Sequence, residues 1–318
     1  MAQSLFITLK QERPDALIDV LAPAWSLPLL ARMPEVHAAI PLPVGHGELQ
    51  LLTRYKIGRS LRARQYDQAI ITPRSYKSAL IPFFAGISRR TGYRGEMRYG
   101  VINDIRTLDK SILRQTVQRY VALGKSHNVV EAPQIPFPKL TVDTANQAKL
   151  RDKFKLSEDQ PLICMMPGAE YGPAKQWPIE KYAELAAIFV EQEYQVLVLG
   201  SQKETGLGET IAVAQPEKIK NLCGQTSLTD AIDLLGLSTV AITNDSGLMH
   251  VACATDRPVI AIYGSSDPAY TPPLSNKAKI IYHSLECSPC FKRVCPLGHT
   301  ACLTDIKMEE VAGCITHL

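Results

Sequence analysis

Between residues 161 and 283 six short apolar runs recur: PLICMMP (161–167), YQVLVLGS (194–201), IKNLCG (219–224), TVAITN (239–244), RPVIAIYG (257–264) and KIIYH (279–283). Helix patterns lie between the earlier ones. The plainest is 179–192, where Tyr182, Leu185, Ala186 and Phe189 share one face and Pro178 stands at the first turn. Strands alternating with helices imply an α/β fold, a parallel, doubly wound sheet with helices on both faces.

The first half follows the same alternation less cleanly. A helix at 2–12, a buried strand at 16–23, a helix near 26–32, a strand near 37–42, a helix over 49–64 and a strand at 68–73 are expected. A helix from about residue 112 to 124 follows, and then EAPQIPFPKL (131–140), whose three prolines make a stiff, extended connector. The domain boundary is placed there, giving domains 1–140 and 141–318, two Rossmann-like units with a ligand cleft between them. The chain starts on a helix, whereas a doubly wound domain normally starts on a central strand whose following loop sits at the ligand crevice. That first strand is expected to be missing from the N-terminal domain.

Composition narrows the class. With 46% hydrophobic and 21% charged residues the chain is an ordinary globular one. No apolar run approaches the roughly 18 residues of a membrane span, and no secretory signal opens the chain, so a cytoplasmic protein is expected. The net charge of +4 does not call for nucleic acid, and no nucleic-acid motif accompanies it. Residues 54–98 are nevertheless rich in Arg and Lys. About half of these suit the solvated face of the 49–64 helix. Arg74 and Lys77, directly after the 68–73 strand, and Arg94 and Arg98, in the loop-like TGYRGEMRYG (91–100), suit an acidic or phosphorylated partner.

Three loops at carboxyl ends of strands in the second domain carry chemistry. In VAITNDSGLMH (240–250) a strand breaks at Asp245, Ser246 and Gly247 into a helix reaching His250 and beyond. Open N–H groups and the helix dipole favour an anion there, and glycine admits a phosphate close to the backbone. Asp245 and Ser246 are also ordinary helix caps, and His250 an ordinary core histidine. PGAEYGPAKQWP (167–178) delivers Lys175 just before a helix, where an ammonium could neutralise a phosphate leaving group. In LGSQKETG (199–206) Gly200 permits close approach, and Glu204 could accept from ribose hydroxyls or simply start a helix. Together they suggest a nucleotide diphosphate, with neither a dinucleotide fingerprint nor a P-loop.

PGAEYGPAKQWP, NDSGLMHVA and IYGSSDPAYTPPLS resemble the ADP-heptose:lipopolysaccharide heptosyltransferases, family 9 of the glycosyltransferases. APAWSLPLLARMPEV (22–36) and YKSALIPFFAGISRRTGYRGEMRYG (76–100) extend the likeness over nearly the whole chain. The resemblance implies a GT-B architecture, with donor on the C-terminal domain and acceptor on the N-terminal one. It implies inverting transfer of a heptose from ADP-heptose to the first heptose of the lipopolysaccharide inner core, without a catalytic metal or cofactor. An acceptor of that kind implies work at the cytoplasmic face of the inner membrane. Lys175 matches the lysine of the family's K-x-W-P motif, and Asp245, Ser246, Gly247 and His250 match its D-[ST]-G-x-x-H turn. Family members normally open with a strand and a loop ending in Gly-Asp, whose aspartate is the base. This chain starts just after it, leaving roughly 10–15 residues absent, and neither Asp15 nor Asp19 replaces that base. A related transferase using another sugar nucleotide, and a non-catalytic nucleotide-sugar-binding fragment, are the competing readings.

Among eight cysteines, Cys287, Cys290, Cys295 and Cys302 cluster as C-x2-C-x4-C-x6-C, with His299 nearby. Four thiolates could hold a structural zinc, but the spacing is looser than two paired C-x2-C knuckles, and free or redox-active thiols are the ordinary reading.

Overall fold

The computed structural model describes residues 1–315, and the chain divides into two compact units. The first comprises Met1–Ala31 and Glu35–Pro136, the second Arg32–Pro34 and Phe137–Leu318. The first contains α1 (Ala2–Glu12), β1 (Ile18–Ala22), α2 (Leu27–Leu30), β2 (Val36–Pro41), α3 (Leu51–Leu61), β3 (Gln68–Ile71), α4 (Leu80–Phe84), β4 (Arg89–Tyr93), β5 (Asp104–Arg106) and α5 (Thr116–Gly124). The second contains α6 (Thr144–Phe154), β6 (Leu162–Met166), α7 (Ile179–Glu191), β7 (Gln195–Val198), α8 (Thr205–Ala212), β8 (Ile219–Asn221), α9 (Leu228–Leu237), β9 (Val240–Asn244), α10 (Gly247–Ala254), β10 (Val259–Tyr263), β11 (Ala278–Tyr282), α11 (Ala301–Thr304) and α12 (Met308–Gly313). No helix among the described residues is long and apolar enough to cross a membrane.

In the second unit every strand pairs in parallel, in the order β11-β10-β9-β6-β7-β8. β6, β9 and β10 are buried at every position, as strands covered on both faces must be. Their core takes in Trp177, Tyr182, Leu185 and Phe189, together with Leu303, Ile306 and Val311 from the C-terminal segment. The buried Asp233 of α9 accepts from Arg32 Nη2 at 2.6 Å, Asn146 Nδ2 at 2.8 Å and the Asp143 amide at 2.8 Å. A fully buried carboxylate needs such a set of partners to offset its loss of water.

The first unit is built differently. Among the described residues its strands form two part-sheets, β1-β2 and β3-β4-β5, each parallel. Among these residues β1 pairs with β2 alone and β3 with β4 alone. Leu21 of β1 and Ala69 of β3 nevertheless pack on one cluster with Leu61, Ile81 and Ile87. The strand expected to be buried at 16–23 is therefore half-buried along its length. α1 lies against α5 where Gly124 has no side chain, since a Cβ there would meet Leu5 at 2.7 Å. Two further corrections apply. The loop expected over 91–100 begins as a strand, because Arg89–Tyr93 is held between β3 and β5. The 112–124 helix starts only at Thr116, where Gln115 and Gln118 form a capping box.

Asp104 organises the β4–β5 edge. It accepts from Arg106 Nε at 2.7 Å, Thr91 Oγ1 at 2.8 Å and Arg89 Nε at 3.0 Å. Burial works against its ionisation, but these hydrogen bonds outweigh it and hold the carboxyl at about 2, below its ordinary 3.8. A depressed carboxylate stabilises the fold above the unfolded pKa and loses that contribution as pH falls through the folded one. Urea midpoints of the wild-type chain are expected to drop between pH 4 and 2. Asp104→Asn should flatten that drop by about 2 kcal/mol, and an unchanged slope would remove Asp104 from this role.

Candidate functional site

The strand order of the second unit reverses at β6 and β9, which are paired neighbours whose chains wind away in opposite directions. Ligands of open α/β sheets bind at this switch point, outside the carboxyl ends of the strands. The loop leaving β6 carries Lys175, and the turn leaving β9 carries Asp245, Ser246 and Gly247.

One side chain locks the two together. Asn244, the last residue of β9, is fully buried. Its Oδ1 accepts from the Trp177 amide at 3.1 Å and from the Tyr182 hydroxyl at 3.3 Å, while its Nδ2 donates to the Pro167 carbonyl at 2.7 Å. Both ends of the 167–178 loop are thereby pinned to β9. Trp177, itself buried, donates through Nε1 to the Ile306 carbonyl at 3.2 Å.

With the loop so held, Lys175 Nζ lies 2.5 Å from Asp245 Oδ2. The same oxygen accepts from Ser266 Oγ at 2.6 Å. Lys175 also lies over the Tyr171 ring, 5.1 Å from its centroid, and Arg293 is 5.2 Å from the same centroid. Gly172 makes this approach possible: its φ is 148°, and a Cβ there would run into the Arg293 carbonyl. α10 begins at Gly247 with no side-chain cap from Ser246, so its first amides are left to meet an anion, and nothing lies within 4 Å of where a Gly247 Cβ would be. One turn on, His250 has its Nδ1 enclosed without a hydrogen-bond partner among the described residues. Burial pushes its imidazole down to about 4, so the ring is neutral at physiological pH.

Gly200 and Glu204 take the ordinary alternative. Ser201 and Glu204 form a capping box, with the Ser201 amide donating to Glu204 Oε2 at 2.5 Å. The carboxylate also fills the space beside Gly168 and Gly200, where a Cβ would collide with it. The loops leaving β6 and β7 are thus in contact, and Glu204 serves first as a cap.

In the first unit Arg74 and Arg94 are exposed, with Arg74 Nη2 3.5 Å from the Arg94 carbonyl, and Lys77 is half-buried beside them. Arg98 is a correction. It is 2% exposed, and its guanidinium donates to the carbonyls of Pro73 at 2.8 Å and Tyr93 at 2.5 Å and lies 3.3 Å from Ser78 Oγ. It braces the two loops from inside and is not presented to an acceptor. Arg54, expected on the solvated helix face, is likewise buried, donating to the carbonyls of Leu49 and Lys77. Asp19 cannot serve as a base at the crevice. It stands near the amino end of β1, and its carboxylate accepts from Tyr66 at 2.5 Å, Arg64 at 2.7 Å and His37 at 2.9 Å.

Cys287, Cys290, Cys295 and Cys302 do converge, lining one small cavity with Ser265 and His299. Among the described residues, however, no three His, Cys, Asp or Glu side chains are grouped to hold a metal ion, and the four cysteines are free thiols. The segment braces the lysine loop instead: the Ala174 amide donates to the Arg293 carbonyl at 3.1 Å, and the Ser265 amide to the Ala174 carbonyl at 3.1 Å.

Two α/β units of parallel strands, one with a lysine–aspartate pair at its switch point, fit the class of GT-B glycosyltransferases. The family model for glycosyltransferase family 9 (heptosyltransferase) matches residues 54–301. Lipopolysaccharide heptosyltransferase 2 of Escherichia coli K12 is 48% identical, over 98% of this chain and 92% of its own length. The same-named protein of Salmonella typhimurium is 50% identical over the same shares. A solved structure of E. coli ADP-heptose LPS heptosyltransferase II superposes with a TM-score of 0.85 at 43% identity, covering 99% of this chain and 94% of that one. The chain belongs to glycosyltransferase family 9.

Asn244→Ala would strand the Trp177 amide and the Pro167 carbonyl in the core. A loss of about 2–4 kcal/mol is expected in urea unfolding; a loss below about 0.5 kcal/mol would show that the loop is held by other contacts.

Proposed function

We propose that this chain transfers a heptose from ADP-heptose to the first heptose of the lipopolysaccharide inner core, with inversion at the anomeric carbon. The second domain holds the donor, and the first holds the acceptor through Arg74, Lys77 and Arg94. The observation that carries this is the Lys175–Asp245 pair at the switch point, beside the open start of α10. The heptosyltransferase 2 relatives at 48% and 50% identity support the choice of sugar and acceptor. An acceptor of this kind is membrane-borne, so the proposal includes work in the cytoplasm against the inner membrane.

In the reaction the acceptor hydroxyl oxygen attacks the anomeric carbon as the bond from that carbon to the diphosphate oxygen breaks. The hydroxyl proton passes to a base, and the electron pair leaves on ADP. Lys175, held by Asp245 and Ser266, meets the charge growing on the departing diphosphate together with the first amides of α10. Neutral His250 supplies a donor or acceptor towards the phosphates or sugar without adding charge. Ser246 and Gly247 line the approach, while Gly200 follows β7 in the loop that Glu204 caps.

The test is heptose incorporation, followed by mass spectrometry, into an inner-core acceptor that carries a single heptose. Addition of one heptose with release of ADP is expected, and Arg74→Ala and Arg94→Ala should each raise the acceptor KM roughly three- to tenfold with the donor KM unchanged. Turnover of a different sugar nucleotide in place of ADP-heptose would overturn the choice of sugar. ADP binding with no transfer would favour the second reading, a nucleotide-sugar-binding chain. That reading has one observation behind it, the engagement of Asp19 away from the crevice edge.

A further inference from the structure

α3 of the first unit has two faces that differ from those of an ordinary surface helix. Its inner face is narrow: Gly58 sits so close to α4 that a Cβ would meet Phe84 at 2.6 Å and the Ile81 carbonyl at 2.8 Å, and Leu61 is buried. Its outer face is apolar at one end and cationic at the other. Leu49 is 54% exposed, Leu51 50%, Leu52 76% and Tyr55 43%. Leu51, Tyr55 and Arg59, and Leu52 and Lys56, stand at helical i, i+4 spacing, so they form one stripe. The stripe continues onto α4: Tyr55 packs edge-on to Phe84 at 5.3 Å, Phe84 contacts Phe83 at 5.7 Å, and Phe83 is itself 43% exposed, 5.6 Å from the Arg90 guanidinium.

The charge is one-sided. From Leu51 to Arg64 the sequence holds five Arg or Lys and no Asp or Glu. Arg54 is spent inside on the Leu49 and Lys77 carbonyls, and Arg64 on Asp19. Lys56 and Arg59 remain exposed, as does Arg62, whose Nε donates to the Phe84 carbonyl at 2.9 Å. Contiguous exposed apolar side chains bordered by cations suit an interface with negative charge above an apolar interior. Through Arg54 the apolar end is tied directly to Lys77 of the acceptor set.

We infer that the outer face of α3, with Phe83 of α4, docks the first unit onto an anionic lipid bilayer, resting on the proposed lipid-borne acceptor. Leu51, Leu52 and Tyr55 enter the acyl boundary, and Lys56, Arg59 and Arg62 meet headgroup phosphates. The two ends of this stripe lie about 12 Å apart along the helix, so the helix lies along the interface. The acceptor sugar then reaches the protein beside the segment that carries Lys77.

The experiment is co-sedimentation of the full chain with vesicles of phosphatidylcholine alone and of phosphatidylcholine mixed with phosphatidylglycerol. The wild type is expected to bind the anionic vesicles, with affinity falling as salt rises. Leu51→Ser/Leu52→Ser and Lys56→Glu/Arg59→Glu should each weaken binding about tenfold or more, with circular dichroism and ADP affinity unchanged. Equal binding to neutral vesicles, or variants that bind like wild type, would overturn the inference. So would a wild-type dimer that the leucine variant dissociates without loss of lipid binding, since a second copy would then cover the face. Transfer to a water-soluble, delipidated acceptor should be the same in all three proteins. A wild type that binds anionic vesicles but transfers nothing supports the docking face and counts against the transfer reaction.

Discussion

A single buried amide holds the two loops of the candidate site together. Asn244 ends the central strand β9 and is fully buried, so its donor and acceptor must both be met from within. They are met by the two ends of the loop leaving β6, Pro167 on one side and Trp177 on the other. Lys175 lies between those ends, and its meeting with Asp245 follows from the closure of the loop rather than from any preference of the lysine itself. The ion pair is largely out of water, with side-chain exposures of 17% and 5%. It therefore works at a lower dielectric than a surface pair and can be shared with an incoming phosphate.

The first unit follows from a different constraint. Two part-sheets share one set of helices, and polar clamps at their margins take over what a continuous ladder would do. Asp19 joins β1 and β2 to the segment ahead of β3, while Asp104 joins β4 to β5. These clamps consume several of the arginines that make the region look like one basic surface. What remains outside is sorted: Arg74 and Arg94 above the carboxyl ends of strands, and Lys56, Arg59 and Arg62 along α3.

Legibility in the sequence followed burial. The central strands β6, β9 and β10 of the second unit were readable because strands covered on both faces must be continuously apolar, and α7 because its buried face repeats at helical spacing. α6 was not readable, since only Leu150 of its residues is buried and its other residues are mostly polar or charged. β4 was not readable either: RRTGY has arginines and a glycine, and it becomes a strand because β3 and β5 flank it. At the site, Lys175 and Asp245 were visible because shaped turns hold them. Asn244, Tyr171, Ser266 and Arg293 were not, because their roles depend on contacts distant in sequence. The S-x-x-E spacing of Ser201 and Glu204 did carry the capping signal that the structure shows. Arg98 looked like its exposed neighbours, and only the fold distinguishes an arginine that collects buried carbonyls.

The central claim is that Lys175, set by Asp245 at the head of α10, is the seat of a nucleotide diphosphate. Calorimetric titration of the full chain with ADP, with adenosine as the control, tests it directly. Lys175→Met should weaken ADP binding roughly ten- to hundredfold, Lys175→Arg should retain most of it, and adenosine should bind weakly and equally to all three proteins. ADP binding that is unchanged in Lys175→Met would contradict the claim.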